Sequence, residues 1–441
     1  MCAWRRRAFR RRRPPSPDLG RARDGSGDHQ GGQPSAGSAS ATPPDSAFKP
    51  GSIDPATYLR FGLFYLGYYG YVGVISPYVS LFFSDRGFSP VQIGVLMACF
   101  QLSRIVGPYL WGWLSDVMHT RVRLLRLAAI SSLLAFLMVP GVHSYGGMMA
   151  MMIGLNLITS AMSPLGDALT ISTLRRHGAF DHRYGRVRMF GSVGFIGAVL
   201  AGGALFEHFG MVAFPWLASG MLALFAIVVQ GMRDAPDEGP RVRPPPALPL
   251  LRRPDVAWFL ASAFLMMFAH AALYVFYSLY LEQLGYSKLA IGVMWTIGVV
   301  AEIVFFFYQG RLFGSLALRT ILAGTFVLAA IRFGLTGYLA QYAWLMAAVQ
   351  VLHAATFAAH HSASLKRLQR WFAGPLQGRG QALYTGISYG VGGTLGGLTM
   401  GWTWKTLGPS HTFGLAAAAA LAGACCAALS FRGEHAAVRP G

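Results

Sequence analysis

Apolar stretches recur along nearly the whole chain and are broken by short polar or basic loops. Each is about twenty residues long, the length a helix needs to cross roughly 30 Å of bilayer hydrocarbon. Twelve such spans are predicted. The first six run near Tyr58–Phe83, Val91–Leu114, Leu124–Pro140, Met148–Leu174, Arg188–Phe206 and Val212–Met232. The second six run near Val256–Leu281, Ala290–Phe313, Ile321–Ala340, Tyr342–Leu365, Gln381–Trp402 and Thr412–Ser430. The pattern predicts an all-α membrane protein with twelve transmembrane helices in two six-helix bundles, residues 56–232 and 256–431.

The remaining segments are polar. Residues 1–55 are rich in Arg, Pro, Gly and Ser, without an apolar period, and read as a disordered basic tail. They hold no apolar core of a secretory signal. Residues 233–255 include Pro244, Pro245 and Pro246, which cannot continue a helix, and read as a linker. A short tail covers residues 432–441. One set of loops carries Arg121, Arg123, Arg126, Arg175, Arg176, Arg183, Arg186, Arg311, Arg319, Lys366, Arg367 and Arg370, while the other holds little beyond Arg86, Lys288 and Lys405. Basic loops stay on the cytoplasmic side. Both termini are therefore expected in the cytoplasm, and the chain in the inner membrane as a multi-pass protein.

Composition agrees: 54% of residues are hydrophobic and only 12% charged, about half the charge of a soluble domain. The net charge of +20 comes from the tail and the basic loops. No aromatic-basic recognition module accompanies it, so nucleic acid is not an expected partner. Cys2, Cys99, Cys425 and Cys426 form no CxxC pair, so no metal or disulfide framework is expected. HExxH, Walker A and GxSxG patterns are absent, so no enzyme and no cofactor is expected.

Six charged or titratable side chains lie deep inside the apolar runs: Arg104, Asp167, Glu302, Arg332, His270 and His353. Bilayer hydrocarbon penalises such charges by roughly 2.5–3.5 kcal/mol or more each. They must pair, face water or handle a substrate. Asp167 and Arg188 fall at a shared depth on neighbouring spans and can pair. With Arg188 included, the mid-membrane set has three arginines and two carboxylates. A carboxylate substrate would complete that balance, so an organic anion is favoured over a neutral sugar. Arg104, one turn from Gln101, is read either as a structural ion-pair partner or as an anion-capturing group. His270 rests on position alone, and hydrogen-bonded packing accounts for it as readily. Tyr65, Tyr68 and Tyr69 share a face of the first span, as do Tyr274 and Tyr277 of the seventh; packing and a pocket stacking an aromatic ring are both open. Gly390, Gly393 and Gly397 have the spacing that lets helices touch.

The loop "GWLSDVMHTRVRL" carries Gly112, Asp116, Arg121 and Leu124 in the pattern G-x-x-x-D-x-x-x-x-R-x-x-L. It resembles the gating-loop signature of major facilitator transporters, with Val117 and His119 departing from it, and Gly112 is expected to permit a close helix approach. "YGRVRMFGSVGF" and "SPLGDA" resemble segments of lactose permease, with Asp167 in place of a Glu. There the residues matching Asp167 and Arg188 lie at the sugar site. Those matching Glu302, Arg332 and His353 serve substrate binding and proton translocation. A proton-carrying Glu of that permease is replaced by Thr356. The 3-phenylpropionate permease family is more similar still, through "GYVGVISPYVSLFFSDRGFSPVQIGVL", "QLSRIVGPYLWGWLSD", "AHAALYVFYSLYLEQLGYS" and "GQALYTGISYGVGGTLGG".

These resemblances imply a proton symporter of a small organic anion such as an aromatic carboxylate, working by alternating access as a monomer in the lipid bilayer. Substrate contacts are expected from Arg104, Asp167, Arg188, Gln101, Tyr65, Tyr68, Tyr274 and Tyr277. Proton coupling is expected from Glu302, Arg332, His353 and His270, and gating from Gly112, Asp116 and Arg121. A neutral sugar or nucleoside is the alternative substrate, and a non-transporting sensor the alternative class.

Overall fold

Why the chain turns where it does is legible in its caps and glycines. Asp54 accepts from the Thr57 N–H at 3.0 Å and opens helix α1 (Pro55–Asp85). Ser144 and Ser287 cap two later helices in the same way, each satisfying an N–H that has no partner within the helix. Gly87, Gly210, Gly285 and Gly408 all have φ between 73° and 86°. That left-handed backbone suits glycine, and each of them follows a helix at the end of the molecule away from the basic loops.

The computed structural model describes residues 53–118, 120–234 and 248–432, without the side chains of Arg104, Pro108, Asp116, Asp181, Leu248 and Pro375. The readings made for the basic tail, most of the linker and the last residues lie outside this description. Among the described residues all regular structure is helical. After α1 come α2 (Pro90–Met118), α3 (Arg121–Met138), α4 (Tyr145–Arg176), α5 (Phe180–Phe209) and α6 (Phe214–Gln230). Beyond the linker follow α7 (Pro254–Gln283), α8 (Lys288–Ser315), α9 (Leu318–Leu339), α10 (Ala343–Trp371), α11 (residues 377–407) and α12 (Pro409–Leu429). Ten of the described segments are long and apolar enough to cross a membrane. The other two, α1 and α11, are rich in tyrosine and glycine and dilute their hydropathy accordingly. Seventeen residues of α1 are buried, so it needs little lipid-facing surface.

Helices 1–6 pack mainly on one another, as do helices 7–12, and two main crossings join these portions, α2 on α11 and α5 on α8, with a smaller contact of α1 on α7. The crossings repeat one design. Gly94 and Gly292, Gly203 and Gly401, and Pro90 and Lys288 are each 198 residues apart. A Cβ built on Gly401 would lie 3.0 Å from the Pro90 carbonyl oxygen, and one on Gly203 would lie 2.9 Å from that of Lys288. Side chains larger than hydrogen are excluded at both places. The two crossings differ in their polar groups. The Tyr78 hydroxyl, at the second crossing, donates to the Val199 carbonyl at 2.8 Å and reaches that of Lys288 at 3.3 Å. Nearby, Glu207 accepts from the Lys288 N–H at 2.6 Å, across the boundary between the portions. Residue 276, the counterpart of Tyr78, is phenylalanine, stacked on Trp404.

Candidate functional site

In the N-terminal portion, α1 and α5 cross closely. A Cβ on Gly194 would collide with the Leu66 carbonyl, and one on Gly73 would come within 2.6 Å of the Phe195 carbonyl. That approach lays Arg188 over two tyrosines of α1, its guanidinium carbon 5.2 Å from the Tyr65 ring centre and 5.3 Å from that of Tyr69. Helix α4 is interrupted at Ser160–Ala161 and then presents Asp167 to the same place. Arg188 Nη1 donates to Asp167 Oδ1 at 2.9 Å, and the Tyr65 hydroxyl donates to the same oxygen at 2.5 Å. Ser163 donates to the second carboxylate oxygen at 3.3 Å. The Arg188 and Asp167 side chains are 37% and 28% exposed, so the pair is anchored from behind and open in front. Tyr69 and Ser163 were absent from the predicted contacts. Their spacing points to them, since each lies one helical turn from a partner that was predicted.

In the C-terminal portion, Arg332 is fully buried, and its guanidinium is held by three α10 side chains. Nη1 donates to Thr356 Oγ1 at 3.0 Å and to His353 Nδ1 at 2.8 Å, and Nη2 donates to Gln350 Oε1 at 2.9 Å. His353 Nε2 lies 2.7 Å from Glu302 Oε1. Arginine can only donate, so His353 Nδ1 must accept. The ring proton therefore sits on Nε2 and is donated to Glu302. The result is a chain, Arg332 to His353 to Glu302, in which the imidazole is neutral and passes one hydrogen bond on to the carboxyl group. Gln350, the third acceptor, is absent from the sequence-based site, although it lies one helical turn from His353.

Helix α10 widens into a π-helical stretch at Ala354–Ala359, directly after His353. Two more such stretches occur, at Ala272–Phe276 in α7 and Gly386–Gly392 in α11. Among the described residues all three lie in the C-terminal portion. An inserted residue of this kind shifts the face on which later side chains emerge, and such bulges recur at functional sites.

The other predicted residues fall around these two sets. Gln101 wedges against Gly393 where α2 meets α11, and its Oε1 has no partner among the described residues. Tyr68 turns towards Tyr69 and Phe225. Tyr274 and Tyr277 both pack on Trp295, with ring centres 6.3 and 6.1 Å away. His270 is fully buried and its Nδ1 lies 2.8 Å from the Met266 carbonyl oxygen. That acceptor requires the proton on Nδ1, and Nε2 is then a bare acceptor with no partner among the described residues. Its ring centre is 6.3 Å from that of His353, so it borders the chain without joining it. Arg121 is the first residue of α3. Gly112 departs from expectation: among the described residues nothing lies within 4 Å of a Cβ built there, so no close helix approach requires it. The readings at Arg104 and Asp116 lie outside the described side chains. No group of His, Cys, Asp and Glu suited to a metal occurs among the described residues.

The profile of the MFS_1 like family matches residues 58–415. The probable 3-phenylpropionic acid transporter of Escherichia coli (strain K12) is 31% identical over 361 residues, covering 78% of this chain and 91% of that protein. The maltose permease of Geobacillus stearothermophilus is 25% identical over 358 residues, covering 79% and 87%. Among solved structures, that of the nucleoside transporter NupG superposes with a TM-score of 0.77 at 13% identity, over 85% of this chain and 99% of that one. Fold, family profile and relatives agree that the chain belongs to the MFS_1 like family and is a multi-pass membrane transporter of small molecules rather than an enzyme.

Proposed function

We propose that this transporter is a proton symporter of a small organic anion, an aromatic carboxylate such as 3-phenylpropionate. In this reading two six-helix bundles of the inner membrane, twelve spans in all with cytoplasmic termini, work as a monomer by alternating access. The observation that carries it is the buried chain Arg332–His353–Glu302. With Glu302 ionised the chain is neutral overall. A proton taken up by Glu302 leaves Arg332 as an uncompensated buried cation. An anionic substrate arriving nearby offsets that charge, so proton and carboxylate enter together more favourably than either alone.

Arg188 supplies the docking group, because its guanidinium lies over two tyrosine rings while Asp167 holds one edge. Aromatic faces beside a cation suit a ligand with both a carboxylate and a ring. Arg104 supports the reading by position: it is 198 residues before Glu302, the same offset that relates Gly94 to Gly292. Both residues thus lie ten positions, about 15 Å of helix, beyond their crossing glycines. The relative at 31% identity, a probable 3-phenylpropionic acid transporter, points to the same substrate class.

The test is uptake of 3-phenylpropionate into proteoliposomes under an inward proton gradient. Accumulation that vanishes when an ionophore collapses the gradient is the expected result, and unchanged accumulation removes proton coupling. A neutral sugar is the second reading. It is favoured by the internal charge balance of both described sets and by the maltose permease relative. Counterflow of maltose without counterflow of aromatic acids would select it. Ligand binding with no counterflow of any kind would instead indicate a sensor.

A further inference from the structure

Away from the transport sites, a cavity of about 200 Å³ opens at the basic-loop end of the N-terminal portion. A single water occupies roughly 30 Å³ of liquid, so the space admits a group several times larger. Its walls come from three separate elements: Thr57, Arg60 and Phe61 at the start of α1, Thr173, Arg176 and His177 at the end of α4, and residues 231–234 after α6. Three arginines line it, Arg60, Arg176 and Arg233, against one carboxylate, Asp234.

That carboxylate is already engaged. Asp234 Oδ1 accepts from the Val122 N–H, in the first turn of α3, at 2.9 Å. Arg126 stiffens the same wall by donating to the carbonyls of Gln230 at 2.8 Å and Met232 at 2.9 Å. Asp54 lies close enough to Arg60 to interact with it electrostatically, yet it is fully exposed and spent on capping α1. Neither Arg60, Arg176 nor Arg233 makes a hydrogen bond or an ion pair among the described residues. Topology alone accounts for arginines at this end of the helices. It does not account for three of them, from three elements, converging on one braced cavity with a phenylalanine floor.

We propose that this cavity binds a phosphate-bearing anion, drawn either from an anionic phospholipid headgroup or from free phosphate. Arginine is the residue suited to that task, since its planar fork matches phosphate oxygens. The cavity sits where the helices leave the apolar zone, at headgroup level. A headgroup bound there joins the start of α1 to the ends of α4 and α6.

The experiment follows thermal unfolding of the full-length protein in neutral detergent. Soluble short-chain phosphatidylglycerol, matched phosphatidylcholine and sodium phosphate are titrated separately. The expected result is a rise in unfolding temperature with phosphatidylglycerol but not with phosphatidylcholine. Arg60→Gln, Arg176→Gln and Arg233→Gln should each weaken that response about fivefold in apparent affinity, the loss expected when one basic residue leaves an anionic surface. Arg176→Lys should lose less. A response to phosphate alone, lost in the same variants, supports the site and names free phosphate as the source. Equal responses in wild type and all three variants, equal responses to both lipids, or no response to either anion overturns the proposal. Single substitutions at exposed arginines keep the variants foldable.

Discussion

The two portions of the molecule treat their charges in opposite ways. Asp167 and Arg188 meet half-exposed, with tyrosines behind them and an open front. Arg332 and His353 are buried, the Glu302 side chain is only 16% exposed, and each polar contact of the arginine goes to an α10 side chain. A half-exposed pair exchanges partners cheaply, because water competes for both ions. A sealed chain responds to a change at either end as a unit, because no solvent screens it. In the proposed function, the portion that receives a ligand and the portion that registers a proton demand different burial, and these two sets differ in that way.

The largest effect should come from the sealed side. Arg332→Leu removes the cation beside Glu302 and leaves the His353 Nδ1 without its donor, and breaking a buried ionic set in this way costs about 3–5 kcal/mol. Thermal unfolding in detergent should fall accordingly and uptake should vanish; a variant as stable as wild type would break the contrast. Arg188→Ala should behave differently. Its stability should remain near wild type, since an exposed pair contributes about 0–1 kcal/mol, while apparent substrate affinity falls about tenfold to a hundredfold, the range for a lost charge-assisted hydrogen bond. Initial uptake rates against concentration would measure this, and a native profile would remove Arg188 from the site. A smaller loss, severalfold, is expected for Tyr69→Leu, which removes one ring face from the guanidinium at a cost of about 0.5–1 kcal/mol. Smallest is Thr356→Val. It deletes one of three acceptors of Arg332, worth about 1 kcal/mol, and should appear in the unfolding temperature before it appears in uptake.

Helix order and the Asp167–Arg188 pairing were legible because both follow from span counting. Two residues at one depth on adjacent spans have few other places to go. The glycines at 390, 393 and 397 were legible by spacing, and each meets a residue of α2 in the structure. The π-helical stretches were not, since a wide turn is chosen by packing on both sides and leaves no mark in hydropathy. Because of them the face assigned to Tyr274 and Tyr277 depends on α7 widening at Ala272–Phe276. Gly112 misled because the motif presumes a contact that the described residues do not make. His360 carries no signal in the sequence, yet it is buried on Phe326 with its Nδ1 3.2 Å from the Thr325 hydroxyl. The 198-residue repeat was present in the letters, but only the paired crossings reveal which of its positions matter.

Those crossings have a mechanical corollary. Backbone-on-backbone surfaces carry few interlocking knobs, here mainly Tyr78 and Gln101, so in the proposed alternating access little side-chain bulk resists tilting one against the other. With one such surface on each flank, the line through Gly94 and Gly292 is a natural axle. A swing of about 20° around it displaces points about 15 Å along the helices, the level of Arg104 and Glu302, by about 5 Å. Bulk added at Gly94 or Gly203 would seize the axle while leaving both charge sets untouched.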